Sequence, residues 1–165
     1  MARDTNGITP ELRRQAIDRL FAERCSCVIR NGSDMRVFYE RGVKDLYRLL
    51  KEEPGLLRGA FVADKVVGKA AAALLALGGV EEVFADVISR PALDLLEKNA
   101  VGAGYRLCVP HIVNRTHTGR CPLETRCDGL QTPEECLAQV TDFIETMKRE
   151  GEARPGRFVC CPVCA

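Results

Sequence analysis

No other stretch of the chain constrains its fold as strongly as Asp64–Gly79, DKVVGKAAAALLALGG. It reads as one helix, with Asp64 as N-cap, alanines and leucines behind it, and Gly78-Gly79 as the stop. Apolar residues occupy nearly every side, so the helix must be buried on several of them. Its first turns nevertheless carry Lys65 and Lys69, spaced i and i+4 and therefore on one face. Two cations beside the positive end of a helix dipole are locally unfavourable. Either both stems run along the core with their ammonium groups in water, or the lysines and Asp64 line a pocket for an anionic or polar group.

The chain has 165 residues, which suits one domain, here 1–149, followed by a cysteine-rich tail, 150–165. A formal net charge of +1 gives no basic footprint for nucleic acid. The first residues, MARDTNGITPELRRQ, place charges where a signal peptide needs an apolar core. The Ala70–Leu77 run is far shorter than the roughly 20 apolar residues that span a bilayer. These features predict a cytoplasmic protein without a membrane partner, whose nine cysteines are mostly thiols. Nine is odd, so at least one has no partner within a monomer.

Thr9-Pro10-Glu11 opens a helix whose apolar stripe, Leu12, Ala16, Ile17, Leu20 and Phe21, runs to Glu23. Cys25–Arg30 and Met35–Glu40 are β-type runs around Asn31-Gly32-Ser33-Asp34, which predicts a hairpin. Cys25 and Cys27 are expected to face opposite sides there and so not to act as a simple chelate. Val43–Lys51 reads as a helix, Gly59–Ala63 as a short strand, and Glu82–Ser89 as a strand buried on both faces. Asp86 inside that strand is anomalous: it meets water near the strand end, or it holds a partner such as Lys65. Pro91–Ala100 is a helix capped by Ser89 or Arg90, Tyr105–Ile112 a strand, and Val113–Thr125 irregular. Thr132-Pro133-Glu134 opens a last helix to about Arg149. A hairpin followed by alternating strands and helices predicts an α/β fold with a mixed sheet and helices on its faces.

The segments GAFVADKVVGKAAAALLALGGVEEVFADVIS and NRTHTGRCPLE resemble a bacterial and archaeal family, catalogued as domain-of-unknown-function family 1893 within the cytidine-deaminase-like superfamily. The resemblance covers about Cys25 to Arg149 and implies a three-layer α/β/α sandwich. Deaminases of that superfamily place H-x-E at the start of one helix and P-C-x-x-C at the start of the next, supplying zinc ligands and an acid/base Glu. The matching positions read here as Asp64-Lys65-Val66 and Pro91-Ala92-Leu93-Asp94-Leu95, with Ala92 and Leu95 where the cysteines would stand. Methyl and isobutyl groups cannot replace the thiolates that zinc prefers. The resemblance thus implies the fold without its zinc centre, with no metal or cofactor and no hydrolytic deamination by that route.

Asn114-Arg115-Thr116-His117-Thr118-Gly119-Arg120-Cys121-Pro122 concentrates amides, hydroxyls and guanidinium groups on one loop, which suits recognition of a polar ligand. Its alternative role is a structural loop whose polar groups cap one another. Cys121 has cationic neighbours that favour a thiolate, so it is a candidate nucleophile with His117 or His111 as base. Cys160-Cys161-Pro162-Val163-Cys164 is an incidental thiol-rich tail, a redox dithiol, or half of a zinc signature that lacks a second close pair and that Cys121, Cys127 or His117 could complete.

These readings converge on a binding domain for a small polar molecule, nucleotide-like by fold analogy. The site lies where Asp64–Lys69, Asp86–Ser89 and Asn114–Cys121 meet, because ligands in α/β sheets bind beyond strand ends at helix N-termini. Lys65, Lys69 and Arg115 counter anionic groups, and Asp86 and Asn114 read donors. Gly68 and Gly119 allow close approach, with Ser89 and Thr118 completing the lining. One rival is an enzyme using Cys121 as nucleophile, with Lys65 or His117 lowering its pKa. The other is a thiol-based metal or redox module in the tail. A homo-oligomer is compatible with all three.

Overall fold

The Thr9-Pro10 signal opens a helix as read: the Thr9 hydroxyl accepts from the Leu12 N–H, and α1 spans Pro10–Ala22. β1 (Cys27–Asn31) and β2 (Asp34–Phe38) follow as a hairpin. α2 (Lys44–Glu52) and the short α3 (Pro54–Leu57) lead to β3 (Phe61–Val67). Then α4 (Lys69–Leu77), β4 (Glu82–Ser89), α5 (Arg90–Lys98) and β5 (Gly102–Val109) alternate, before α6 (Pro122–Cys127) and α7 (Pro133–Ala153). The strands form one five-stranded mixed sheet in the order β2-β1-β3-β4-β5. β1 is antiparallel to both neighbours, while β3, β4 and β5 are parallel. This computed structural model describes residues 8–40, 42–114 and 116–153; Arg115 and the tail cysteines Cys160, Cys161 and Cys164 lie outside the described residues.

Asp64–Val67 is strand, which corrects the single helix expected over Asp64–Gly79. The backbone stays extended from Phe61 to Val67 and becomes helical only at Lys69. Val66 and Val67 are β-branched and favour the extended form. Asp64 and Lys65 are therefore sheet residues, with Asp64 opposite Cys27 of β1 and Ala85 of β4. Lys65 and Lys69 share no helix face. The stop is where it was read: α4 ends at Leu77, and Gly79 takes φ +75°, open to glycine at no steric cost. Val113–Thr125 is not irregular throughout, since α6 begins at Pro122. The 149/150 boundary falls inside α7, which continues to Ala153.

The sheet separates two apolar clusters. Ala16 and Leu20 of α1 meet Val28, Phe61 and Ala63 on one face. Apolar residues of α2 through α7 gather with Ile29, Val62, Val83 and Ala85 on the other. Alternation along β1 and β3 feeds both. Cys25 and Cys27 do reach different clusters, but not by alternation, which puts residues two apart on one face: Cys25 precedes β1 and is not a strand residue. α4 is buried from Lys69 through Leu75, flanked by α5 and α7, which accounts for its lack of a polar side. Each fully buried leucine there, such as Leu74, contributes roughly 2 kcal/mol. Asp86 alternates with Ala85 and so faces away from the larger cluster. Its ion-pair partner is Arg106 of β5 rather than Lys65.

Candidate functional site

The starts of α4 and α5 do converge, but the place where they meet is filled. Glu124 of α6 is 6% exposed and lies between them. Its Oε1 accepts from the Lys69 N–H at 2.5 Å and from the Ser89 hydroxyl at 3.2 Å. Its Oε2 accepts from the Ile112 N–H at 3.0 Å. Ser89 meanwhile caps α5 by accepting from the Ala92 N–H. A carboxylate at the positive end of α4 is the favourable partner for that dipole. Gly68 makes this possible, because a Cβ there would lie 3.0 Å from Glu124 Oε1. The Lys69 ammonium turns away to the Leu130 carbonyl, 2.6 Å distant. Of the residues expected to form one pocket, Gly68, Lys69 and Ser89 are brought together, and their groups bond to the protein itself.

The Asn114–Arg120 turn is also closed on itself. Asn114 Oδ1 accepts from the Thr118 N–H at 3.0 Å, and Asn114 Nδ2 donates to the Thr118 hydroxyl at 3.1 Å. The Gly119 carbonyl accepts from the Asn114 N–H, and Arg120 pairs with Asp128 at 3.2 Å. His117 holds the turn with φ +54°, the left-handed region that a tight reversal requires. Cys121, at the N-cap of α6, is 1% exposed and part of the larger apolar cluster.

Asp64 and Lys65 line a different cavity, of about 330 Å³, between the open end of the hairpin, β3 and the start of α2. Ser26, Cys27, Tyr39 and Asp45 share its wall. Burial pushes the Asp64 carboxyl up to about 7, against a hydrogen bond from the Val66 N–H that favours its charged form. Cys27, directly opposite in the ladder, is pushed well above the usual thiol range by burial, then by the Asp64 and Asp45 charges. Asp45 is 8% exposed, and burial and Glu40 raise it while Arg48, 3.0 Å away, pulls it down. Perturbed acids gathered in a cleft make this cavity a candidate site.

A second cavity of about 640 Å³, more open, lies between α5, the end of β5 and the Leu130-Gln131 segment. Its cations are already engaged: Lys69 with the Leu130 carbonyl, Lys98 with that of Gln131, and Arg90 with Asp94. Among the described residues, no group of three or more His, Cys, Asp or Glu side chains is placed to hold a metal ion. No helix among them is long and apolar enough to cross a membrane.

A family model described as a domain of unknown function (DUF1893) matches residues 15–144. The chain belongs to the DUF1893 family. A crystal structure of a DUF1893 family protein from Thermotoga maritima, at 2.70 Å resolution, is similar with a TM-score of 0.77. The two are 27% identical, with 86% of this chain and 96% of that one covered. No curated protein matches the chain.

The DUF1893 match includes both cavities and Glu124 and stops short of the tail cysteines. Sequence reasoning missed Glu124, Asp45 and Cys27 as contributors. Pro122 at the first position of α6 signals a helix start, and so could have located Glu124 in its first turn. Its partners, however, are 55 and 35 residues away, and nothing local points to them.

Proposed function

We propose that this DUF1893 chain binds a small, polar, donor-rich molecule of nucleobase size in the Asp64 cavity. The observation that carries the reading is a half-buried carboxyl group, Asp64, held at about 7 in the wall of a pocket of about 330 Å³. Such a group passes between hydrogen-bond donor and acceptor around neutral pH, which suits an amino-substituted heterocycle. Asp45 supplies a second carboxyl group on the same wall. Lys65 and the exposed Arg24 line the cavity too and would face a phosphate or carboxylate extension, the nucleotide-like form of the ligand. The volume falls at the small end of ligand pockets.

The finer fold reading belongs to this proposal. A three-layer α/β/α sandwich of cytidine-deaminase type is supported by apolar clusters on opposite faces of a mixed sheet. The zinc-free form of that fold is supported by the helix starts at Gly68-Lys69-Ala70 and Arg90-Pro91-Ala92, which carry no thiol or imidazole. A cytoplasmic location accords with a chain rich in thiols. The Cys121 nucleophile has less support, since a residue 1% exposed offers a substrate no approach.

The test is a thermal-shift and calorimetric screen of nucleobases, nucleosides, their monophosphates and small amidines at pH 6, 7 and 8. At least one class should bind, with affinity that changes across this range and is lost in Asp64→Asn. Lys65→Ala should weaken the phosphorylated members selectively. Binding that survives Asp64→Asn, or no binding across the set, overturns the reading.

A further inference from the structure

β5 is built unlike the other parallel strands. It stands at one edge of the sheet, parallel to β4, with no strand beyond it among the described residues. Parallel strands are ordinarily covered on both faces, and β3 and β4 each bury several residues, yet no residue of β5 is buried. Tyr105 and Leu107, on one face by alternation, are 44% and 46% exposed. The opposite edge, β2, is guarded by charge: Arg36 pairs with Asp34 at 3.5 Å and with Glu53 at 3.1 Å. β5 carries a single charge, Arg106. Gly104 is a further sign. Its φ is not left-handed, its pairing with β4 runs without a bulge, and a Cβ there would meet nothing nearer than Phe84 at 4.0 Å. Nothing in the domain itself calls for glycine at this point, and the remaining role of a mid-strand glycine is to admit another chain closely.

We propose that β5 is the interface of a two-fold homodimer, pairing antiparallel with β5 of a second copy about Tyr105 and joining two five-stranded sheets into one. The strand is complementary to itself in that arrangement. Gly102, Ala103 and Gly104 precede Tyr105, and the larger Cys108, Leu107 and Arg106 follow it. Reversal about Tyr105 therefore sets Arg106 opposite Gly104, Leu107 opposite Ala103 and Cys108 opposite Gly102. The two Tyr105 rings meet at the dyad, beside the Leu107–Ala103 pairs on the same face. On the other face Arg106 keeps its own Asp86 and lies across Gly104 toward Phe84 of the second copy, since Phe84 is the β4 neighbour of Gly104. A register one residue along, about Arg106, would instead oppose two like charges. A second copy thus fits this edge because each large side chain finds a small one, and the outward main-chain groups of β5 gain partners.

The test is sedimentation equilibrium of the full-length, reduced protein over a wide range of concentration, with hydrogen exchange read on the β5 amides. The expected result is a reversible monomer–dimer equilibrium in which exchange along β5 slows as the dimer forms. Tyr105→Glu sets two carboxylates against one another at the dyad and should raise the dissociation constant about a hundredfold. Gly104→Val fills the space that Arg106 of the second copy needs, and should raise it at least about tenfold. Its Cβ is unobstructed within the domain and valine favours strands, so the dilute monomer should melt no lower than the parent. A protein that stays monomeric throughout, a dimer whose β5 amides exchange as fast as those of the monomer, or a dimer indifferent to Tyr105→Glu overturns the proposal. The first two outcomes are read on the unaltered chain, so they stand even where a variant does not fold.

Discussion

Glu124, buried, and Asp64, half-buried in a cavity wall, are two carboxyl groups of one domain that are supported in opposite ways. Glu124 is met by two main-chain N–H groups and a hydroxyl drawn from three separate segments, so its oxygens are matched by donors. Asp64 accepts from one local main-chain donor, the Val66 N–H, while the Lys65 N–H is taken by the Ser26 carbonyl, too little to offset the burial that pushes it to about 7. One group is finished by the protein; the other is left with capacity that a ligand can use. A buried acid is therefore not in itself a site. The number and origin of its donors distinguish a joint from a pocket.

The hardest blow to this contrast is Glu124→Ala. It would orphan the Lys69 and Ile112 N–H groups and the Ser89 hydroxyl, and should cost about 3–5 kcal/mol in urea unfolding. Glu124→Gln keeps one acceptor oxygen and should lose roughly half as much. A loss below about 1 kcal/mol for the alanine variant would end its role as a joint. Asp64 acts in the other direction. Its folded pKa is raised from an ordinary 3.8 to about 7, so its contribution to stability is fully present below pH 4 and is lost as pH climbs to 7. The ceiling on that loss is about 4 kcal/mol. Asp64→Asn should flatten this part of the stability profile and be more stable than the parent at pH 8; an unchanged slope would show that another group titrates there.

Gly68→Ala comes next, with a Cβ 3.0 Å from Glu124 Oε1 and 3.4 Å from Ile112. It should cost about 1–3 kcal/mol through overpacking, and a neutral effect would mean the joint yields easily. Asn114→Ala, which opens the Thr116 and Thr118 bonds of an exposed turn, should cost no more than about 1 kcal/mol and leave ligand binding unchanged. Smallest of all is Arg106→Ala. The pair it forms with Asp86 has Arg106 mostly in water, and its removal should shift stability by less than about 1 kcal/mol.

Elements marked by local chemistry were legible in the sequence. Thr9-Pro10 and Ser89 mark caps that form as read, and Glu82–Ser89 is an interior strand as read, although it is not buried on both faces: Val83, Ala85 and Ile88 are buried while Glu82, Phe84 and Asp86 opposite them are half-buried. Asp64–Val67 was misread because a buried parallel strand and an alanine-rich helix abut with no polar break between them. Gly68 was the signal for the change, and its helical neighbours on the far side obscured it. The site was less legible than the fold. Lys69, Ser89 and Gly68 were correctly gathered at one point, yet whether that point is open depends on Glu124, brought there from α6 by tertiary packing. Asp45 and Cys27 reach the Asp64 cavity in the same non-local way, across separate elements.

Glu124 also bears on how the chain can assemble. Its three partners sit 55, 35 and 12 residues upstream, so no hairpin or single helical turn can satisfy it early. A collapsed form that buries α6 before α4 and α5 are seated would trap a charge among apolar side chains with donors missing. Such forms are raised in energy relative to the complete one, which widens the gap beneath the native state. The carboxylate thereby acts as a proofreader of assembly, penalising compact shapes in which the strand–helix units are stacked but out of place.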